Sequence, residues 1–260
     1  MIDVRVISIG ALAAHPLWNE RQPVRVGHAT CTLIRAGGAN ILVDPGLPEE
    51  AMAARLSERT GLKPKDITHV FLTSFRPDTH RGIGAFDEAQ WLIAHAEREG
   101  VGIPMAGALR HAIERDNQEL RKAIEHDVAV LQHCRPAPET LADGVDLFPL
   151  PGVSPGLCGL LVEQPEATLL VCGDAVPTSE HLSQGKILPW AADLALAKAS
   201  FAEAIEIGDL LVLGRDNIVI SPGALGEQPS EDDDAQNQDA PGPRSARAGA
   251  ADEDDEDDED

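Results

Sequence analysis

Apolar positions along this chain fall into short runs separated by glycine, proline and acidic turns. Residues 1–10 alternate Val4, Val6 and Ile9 with polar neighbours, which is the period of a strand. Residues 11–20 show no period and read as a linker. Residues 24–35, rich in Val, Thr and Ile, predict a second strand, and residues 41–46 a third that ends in Asp-Pro-Gly. The Gly37-Gly38 turn between them predicts a hairpin. Residues 49–60 have helical spacing and stop at Gly61. Residues 67–72 read as a buried strand running into a loop that holds Ser74, Arg76, Asp78, Thr79 and His80, followed by Gly82 and Gly84. A strand that ends in clustered polar side chains is a common way to build a site at a sheet edge.

Further strands are predicted over 91–94, 128–132, 145–150, 157–163 and 168–172, the last running into Gly173-Asp174. Helical spacing covers 95–98, 108–124 and 191–207. A final strand spans 209–214, with 218–220 as its extension. Hairpin strands first, helices next, strands again and a closing helix–strand unit predict mixed sheets with helices outside.

From Pro229 onward the periodicity disappears. This stretch holds 14 acidic residues and 2 arginines, so it carries −12 of the formal net charge of −23 and leaves −11 for the rest. Like charges at that density repel one another, and nothing apolar offsets the ordering entropy. Residues 229–260 are therefore expected to be a disordered acidic tail after one globular domain over 1–228. Acidity in both parts argues against nucleic-acid binding through phosphate contacts. No apolar run approaches the roughly 18 residues of a membrane span. The N-terminus lacks the basic start and cleavage site of a signal peptide. Cys31, Cys134, Cys158 and Cys172 form no C-x-x-C pair and are expected to be reduced, mostly buried thiols of a cytoplasmic protein. With 5 Phe, 3 Trp and no Tyr, the core must be built from Leu, Val, Ile and Ala.

Six fragments occur in one order: Gly27-His-Ala-Thr-Cys-Thr-Leu-Ile, Ile41-Leu-Val-Asp-Pro-Gly, Ile67-Thr-His-Val-Phe-Leu-Thr-Ser-Phe-Arg-Pro-Asp, Pro151-Gly-Val-Ser-Pro-Gly, Val171-Cys-Gly-Asp-Ala-Val and Leu211-Val-Leu-Gly-Arg-Asp-Asn. Together they resemble the metallo-β-lactamase superfamily. The resemblance implies an α+β fold, a four-layer αβ/βα sandwich of two mixed sheets, with a metal site between the sheet edges. In that family an H-x-H-x-D-H motif follows the third core strand, and zinc held by imidazoles and carboxylates activates a bridging water. By that resemblance Ser74 and Arg76 stand at the first two histidines, Asp78 at the aspartate and Thr79 at the last histidine, with His80 one residue later. Val153 stands at the histidine of a P-G-H-[ST] loop, Asp174 at the bridging carboxylate and Arg215 at the final histidine.

Two carboxylates thus remain, and every matched imidazole position has changed. A guanidinium stays protonated and offers no lone pair to a metal, and valine has no donor atom. The expected cofactor is none; the alternative is one zinc or other divalent metal on Asp78, His80 and Asp174. Adjacent carboxylates need a cation nearby or a shared proton, and Arg76 and Arg215 can supply that charge. The expectation is a ligand-binding cleft of Ser74, Arg76, Asp78, His80, Asp174 and Arg215, with Arg–Asp pairs where relatives hold metal. This implies a non-hydrolytic pseudoenzyme that binds a small anionic molecule or a protein partner. The alternative is an atypical hydrolase with a mononuclear site, in which Asp78 and Asp174 form the acid–base pair. His28 is expected to meet a backbone carbonyl, His95 to sit at a helix start, and Asp44 to satisfy backbone groups of its own turn.

Overall fold

A computed structural model describes residues 2–224; the acidic tail expected over 229–260 lies outside them. The first sheet has the spatial order β1 (Asp3–Ser8), β2 (Cys31–Ala36), β3 (Ala39–Val43), β4 (His69–Leu72), β5 (Gln90–Ile93) and β6 (Arg135–Pro136). Its first three strands are antiparallel neighbours, and β3 to β6 run parallel. The second sheet holds β7 (Thr140–Ala142), β8 (Val145–Pro149), β9 (Cys158–Glu163), β10 (Thr168–Gly173), β11 (Leu210–Leu213) and β12 (Ile218–Ile220). There only β10 and β11 pair in parallel. The helices are α1 (Glu49–Thr60), α2 (Pro77–His80), α3 (His95–Glu114), α4 (Gln118–His133), α5 (Ser179–Ser183) and α6 (Leu194–Ile207).

Strand alternation explains the four layers. Ile41, Val43, Phe71 and Leu92 of the first sheet meet Leu160, Val162, Leu169, Val171 and Val212 of the second in one buried cluster. Their strand neighbours point the other way. Leu33, Leu42, Val70, Leu72 and Ile93 pack under Met52 and Leu56 of α1 and Val130 and Leu131 of α4. Leu170, Cys172, Leu211 and Leu213 pack under Ala197, Phe201, Ala204 and Ile205 of α6. Strands buried on both faces read as nearly continuous apolar runs, as 67–72 and 209–214 do. Each fully buried Leu, Val or Phe stabilises the fold by about 1.5–3 kcal/mol. All four cysteines are buried and free. No helix among the described residues is long and apolar enough to cross a membrane.

Several expected boundaries are corrected. Residues 24–30 are not a strand: the Val24 amide donates to the Ala13 carbonyl at 2.9 Å and His28 bridges Ala11, but these isolated bonds make no ladder, and Val24 and Val26 stand 63% and 72% exposed. The strand expected over 128–132 is helical, because Ile124, Val128 and Leu131 recur at i, i+4 and i+7 within α4. Residues 218–220 form a separate antiparallel strand rather than an extension. The helix expected to begin at 108 begins at His95 and runs through Gly100, Gly102, Pro104 and Gly107 to Glu114. Asp116, at φ 50°, then turns the chain into α4. The Gly100 position is required by crowding, since a Cβ there would lie 2.5 Å from that of Pro155.

Candidate functional site: an arginine between two aspartates

The parallel pairs β3–β4 and β10–β11 bring four strand ends to one edge of the sandwich, the usual place for a crevice in such sheets. β3 ends in Asp44, β4 in the loop 73–78, β10 in Asp174 and β11 in Arg215. The two sheets are joined there. The Cys158 amide donates to the Thr73 carbonyl at 2.9 Å, and the Thr30 amide, just before β2, to the Gly214 carbonyl, just after β11, at 2.8 Å. Gly173 has φ 54°, and a Cβ on it would meet the Thr73 hydroxyl at 2.6 Å, so this crossing requires glycine.

Arg215 lies between the two carboxylates. Its Nε and Nη2 donate to Asp174 Oδ1 and Oδ2, both at 2.7 Å. Its Nη1 donates to Asp78 Oδ2 at 2.5 Å, and Nη2 also reaches Asp78 Oδ1 at 3.3 Å. The Arg215 side chain is 1% exposed and that of Asp174 3%. Its backbone is pinned as well, the amide donating to the Pro177 carbonyl at 2.7 Å. Arg76 completes the group more loosely, with Nε 3.5 Å from Asp78 and 3.9 Å from Asp174 at 35% side-chain exposure. Two carboxylates thus face two guanidiniums. Burial pushes the Asp174 carboxyl up, but the charge and hydrogen bonds of Arg215, with help from Arg76, outweigh it and hold the group below its usual value. Burial works against the Arg215 cation too, and Asp174 and Asp78 more than reverse it.

Asp44 is the third carboxylate. It does not serve its own turn; its two oxygens accept from the Thr73 amide at 2.9 Å and the Thr73 hydroxyl at 2.6 Å, tying β3 to β4. Burial pushes it up to about 7, against the Thr73 hydrogen bonds and the charge of Arg215. Arg215 is bonded to Asp78 and Asp174 and acts on Asp44 only through its charge, which does not offset burial.

The loops rest on Glu97, a fully buried residue in the first turn of α3. One oxygen accepts from the Phe75 amide at 2.8 Å, and the other from the Ser154 hydroxyl at 2.8 Å and the Gly156 amide at 2.9 Å. Glu97 therefore holds both the loop after β4 and the loop that carries Val153. Removing it as Glu97→Ala orphans three buried donors at about 1–3 kcal/mol each, so a loss of at least about 3 kcal/mol is expected in urea unfolding. Loss below about 1 kcal/mol would show that the loops do not depend on it. Nothing in the spacing of the sequence marks Glu97 as different from its neighbour Glu99.

His80 does not join the cleft. Its ring stacks on Phe75 at 4.5 Å and lies 3.9 Å from Asp127 of α4, with both ring nitrogens buried and unbonded among the described residues. Burial pushes it down to about 4. Ser74 is buried, its hydroxyl without a partner among the described residues. His28 meets the Ile9 carbonyl at 3.1 Å, and His95 opens α3, both as expected. A second buried histidine carries no mark in the sequence. His181 of α5 bonds through Nδ1 to Thr178 at 2.8 Å, 5.1 Å from the His15 ring, and burial pushes it down to about 4.

The donor set fits a guanidinium better than a metal. Among the described residues no three His, Cys, Asp or Glu groups converge as metal ligands, and Asp78, His80 and Asp174 are not such a set. The space between Asp78 and Asp174 holds Arg215, whose N–H groups already use the oxygens that a cation would take.

Residues 24–215 match the family model described as the metallo-β-lactamase superfamily. Two curated relatives, probable metallo-hydrolases of Mycobacterium bovis and Mycobacterium tuberculosis, are each 30% identical over 153 residues. The match covers 54% of this chain and 47% of each relative, so the chain spans about half the length of the curated relatives it matches. A probable metal-dependent hydrolase from Staphylococcus aureus superposes with a TM-score of 0.59 at 16% identity, covering 82% of this chain and 88% of that one. The dizinc quorum-quenching lactonase AidC gives 0.54 at 20% identity, covering 78% and 79%. At these identities the solved structures speak to the fold.

Proposed function

The chain belongs to the metallo-β-lactamase superfamily, and from that premise we propose that it is a non-hydrolytic member that binds a small anionic ligand through Arg76. The observation that carries this reading is the Arg215 fork, which supplies between Asp78 and Asp174 the positive charge that zinc supplies in the superfamily. A guanidinium neutralises carboxylates but cannot lower the pKa of a bound water as zinc does, so the hydrolytic step loses its nucleophile. Arg76 differs from Arg215 in exposure: its Nη groups have no bonded partner among the described residues, and it is a third open to solvent. A carboxylate or phosphate can be held there by a charge-assisted pair of N–H groups.

The test is metal analysis of the purified full chain alongside a thermal-shift screen of small carboxylates and phosphates. The expected result is no stoichiometric transition metal, a melting temperature indifferent to chelator, and stabilisation by a subset of anions. Arg76→Gln should abolish that stabilisation without lowering the melting temperature by more than a few degrees. Roughly one tightly held metal per chain, with melting lowered by chelator, would favour a mononuclear hydrolase instead.

A further inference from the structure

Arg76 does not stand alone at the cleft. Ser74 precedes it by two residues, and Phe75 between them is turned into the core that packs under α1. On extended backbone the side chains that flank such a residue leave by the opposite face, and Arg76 is extended, at φ −135° and ψ 147°. The neighbours of Ser74 show where that face looks. Thr73 is the residue that a Cβ on Gly173 would strike, and Arg76 approaches Asp174, so Ser74 lies between two residues that meet the Gly173-Asp174 turn. Its side chain is 1% exposed, and its hydroxyl has no partner among the described residues. A buried hydroxyl without a partner lowers stability, so the folded chain carries that cost beside Arg76.

Charge decides between the anions that could use these donors. Arg76 Nε lies 3.5 Å from Asp78 and 3.9 Å from Asp174, and Arg215 is bonded to both. Two guanidiniums against two carboxylates sum to zero. A monoanion on the open Nη edge of Arg76 leaves the group with one negative charge. A dianion leaves it with two, close to two fixed carboxylates and in a chain of net charge −23. A monocarboxylate has two oxygens for the guanidinium fork and lone pairs to spare for a hydroxyl. One wall of the cleft is apolar: Glu97 holds the loop of the buried Val153 against the Phe75 amide, through Ser154 and Gly156. That wall suits a ligand with an apolar body rather than a second charged group. Resting on the reading of Arg76 as an anion site, we infer that the ligand is a short aliphatic monocarboxylate, held by the Arg76 guanidinium with the Ser74 hydroxyl as its second donor.

The experiment is calorimetric titration of the full chain at pH 8 with butyrate, malonate and inorganic phosphate. The expected result is saturable butyrate binding at one site per chain, about tenfold or more tighter than either dianion. Arg76→Gln should weaken butyrate by about tenfold or more. Ser74→Ala should weaken it about fivefold while leaving the melting temperature of the free chain unchanged or higher, because it removes a hydroxyl that has no partner there. A serine that only supports the loop would lower the melting temperature and leave the affinity alone, and that outcome overturns the inference. Malonate or phosphate bound as tightly as butyrate, with Arg76→Gln removing all three, also overturns it and leaves the anion site standing. Butyrate bound equally well by Arg76→Gln overturns it too. So does the absence of saturable binding by any of the three, and the anion site falls with it only if the broader screen of carboxylates and phosphates also finds no stabilising anion.

Discussion

Arg215→Met is expected to remove about 3–5 kcal/mol of folding stability at neutral pH, because it strips the partner from a buried ion pair and leaves the charge of Asp174 uncompensated. Methionine keeps much of the side-chain length, so little of the loss comes from an empty volume. The pH dependence identifies the cause. In the unmodified chain Asp174 is held below its usual value, so its contribution is present above about 4 and is lost as the pH falls through its folded value. Without Arg215, burial outweighs the weaker pull of Arg76 on Asp174 and raises it. The variant should therefore recover part of its deficit as the pH is lowered and Asp174 takes up a proton, so the gap to the unmodified chain narrows in acid. A second change, Asp174→Asn on top of Arg215→Met, should recover stability at neutral pH by removing the unpaired charge. Urea unfolding of the three proteins at two pH values measures this. A deficit that is the same at both pH values, or a double variant less stable than Arg215→Met, would mean that the cluster does not act through charge.

The same cluster shows what the residues disclosed in advance. Asp78, Asp174 and Arg215 lie far apart in the chain, and each sits just after a strand with an apolar run. Strand ends are legible from such runs, and parallel neighbours put their ends on one edge, so the convergence of these three was readable. The fold followed from the same runs, because double-sided burial leaves an unmistakable pattern at 41–43, 69–72, 169–172 and 210–213. What failed was local. His80 follows Asp78 by two residues, yet the short helix α2 turns it onto Phe75 and away from the carboxylates. A one-residue slip cannot be judged without that helix. The period of Val128, Val130 and Gln132 fitted a strand until α3 supplied a partner for Val128 and Leu131 on helical spacing. Glu97 carries no sequence mark because its three donors come from two loops, one of them about sixty residues downstream in the chain. His181 was hidden for a similar reason: its partner Thr178 is close in sequence, but its burial depends on His15 from the opposite end of the domain.

Asp44→Asn is expected to steepen the acid side of the stability curve and to stabilise the protein above pH 7. Three buried groups set that curve. His80 and His181 are pushed by burial from 6.5 to about 4, so their contribution is full above 6.5 and is lost as the pH falls through about 4. Asp44 has the opposite sign. Raised by burial from 3.8 to about 7, it stabilises most below 3.8, and that contribution is lost as the pH rises through about 7. Near pH 5 the unfolded chain binds two protons on the histidines that the folded chain does not, and the folded chain binds one on Asp44 that the unfolded chain does not. From these groups the net uptake on unfolding is one proton, a slope of about 1.4 kcal/mol per pH unit, with stability falling toward acid. The asparagine of the variant cannot titrate, so the uptake becomes two and the slope roughly doubles. The substitution is conservative in shape: asparagine tolerates the left-handed φ of 48° at this position, and its carbonyl can still accept from the Thr73 amide. The two curves should meet near pH 4 and separate to a few kcal/mol at pH 8, where the native carboxylate would otherwise be charged in the core. Urea midpoints measured from pH 4.5 to pH 8 test this. Parallel curves, or a variant less stable at pH 8, would show that Asp44 is ionised in the folded protein throughout that range and that Arg215 compensates three carboxylates rather than two.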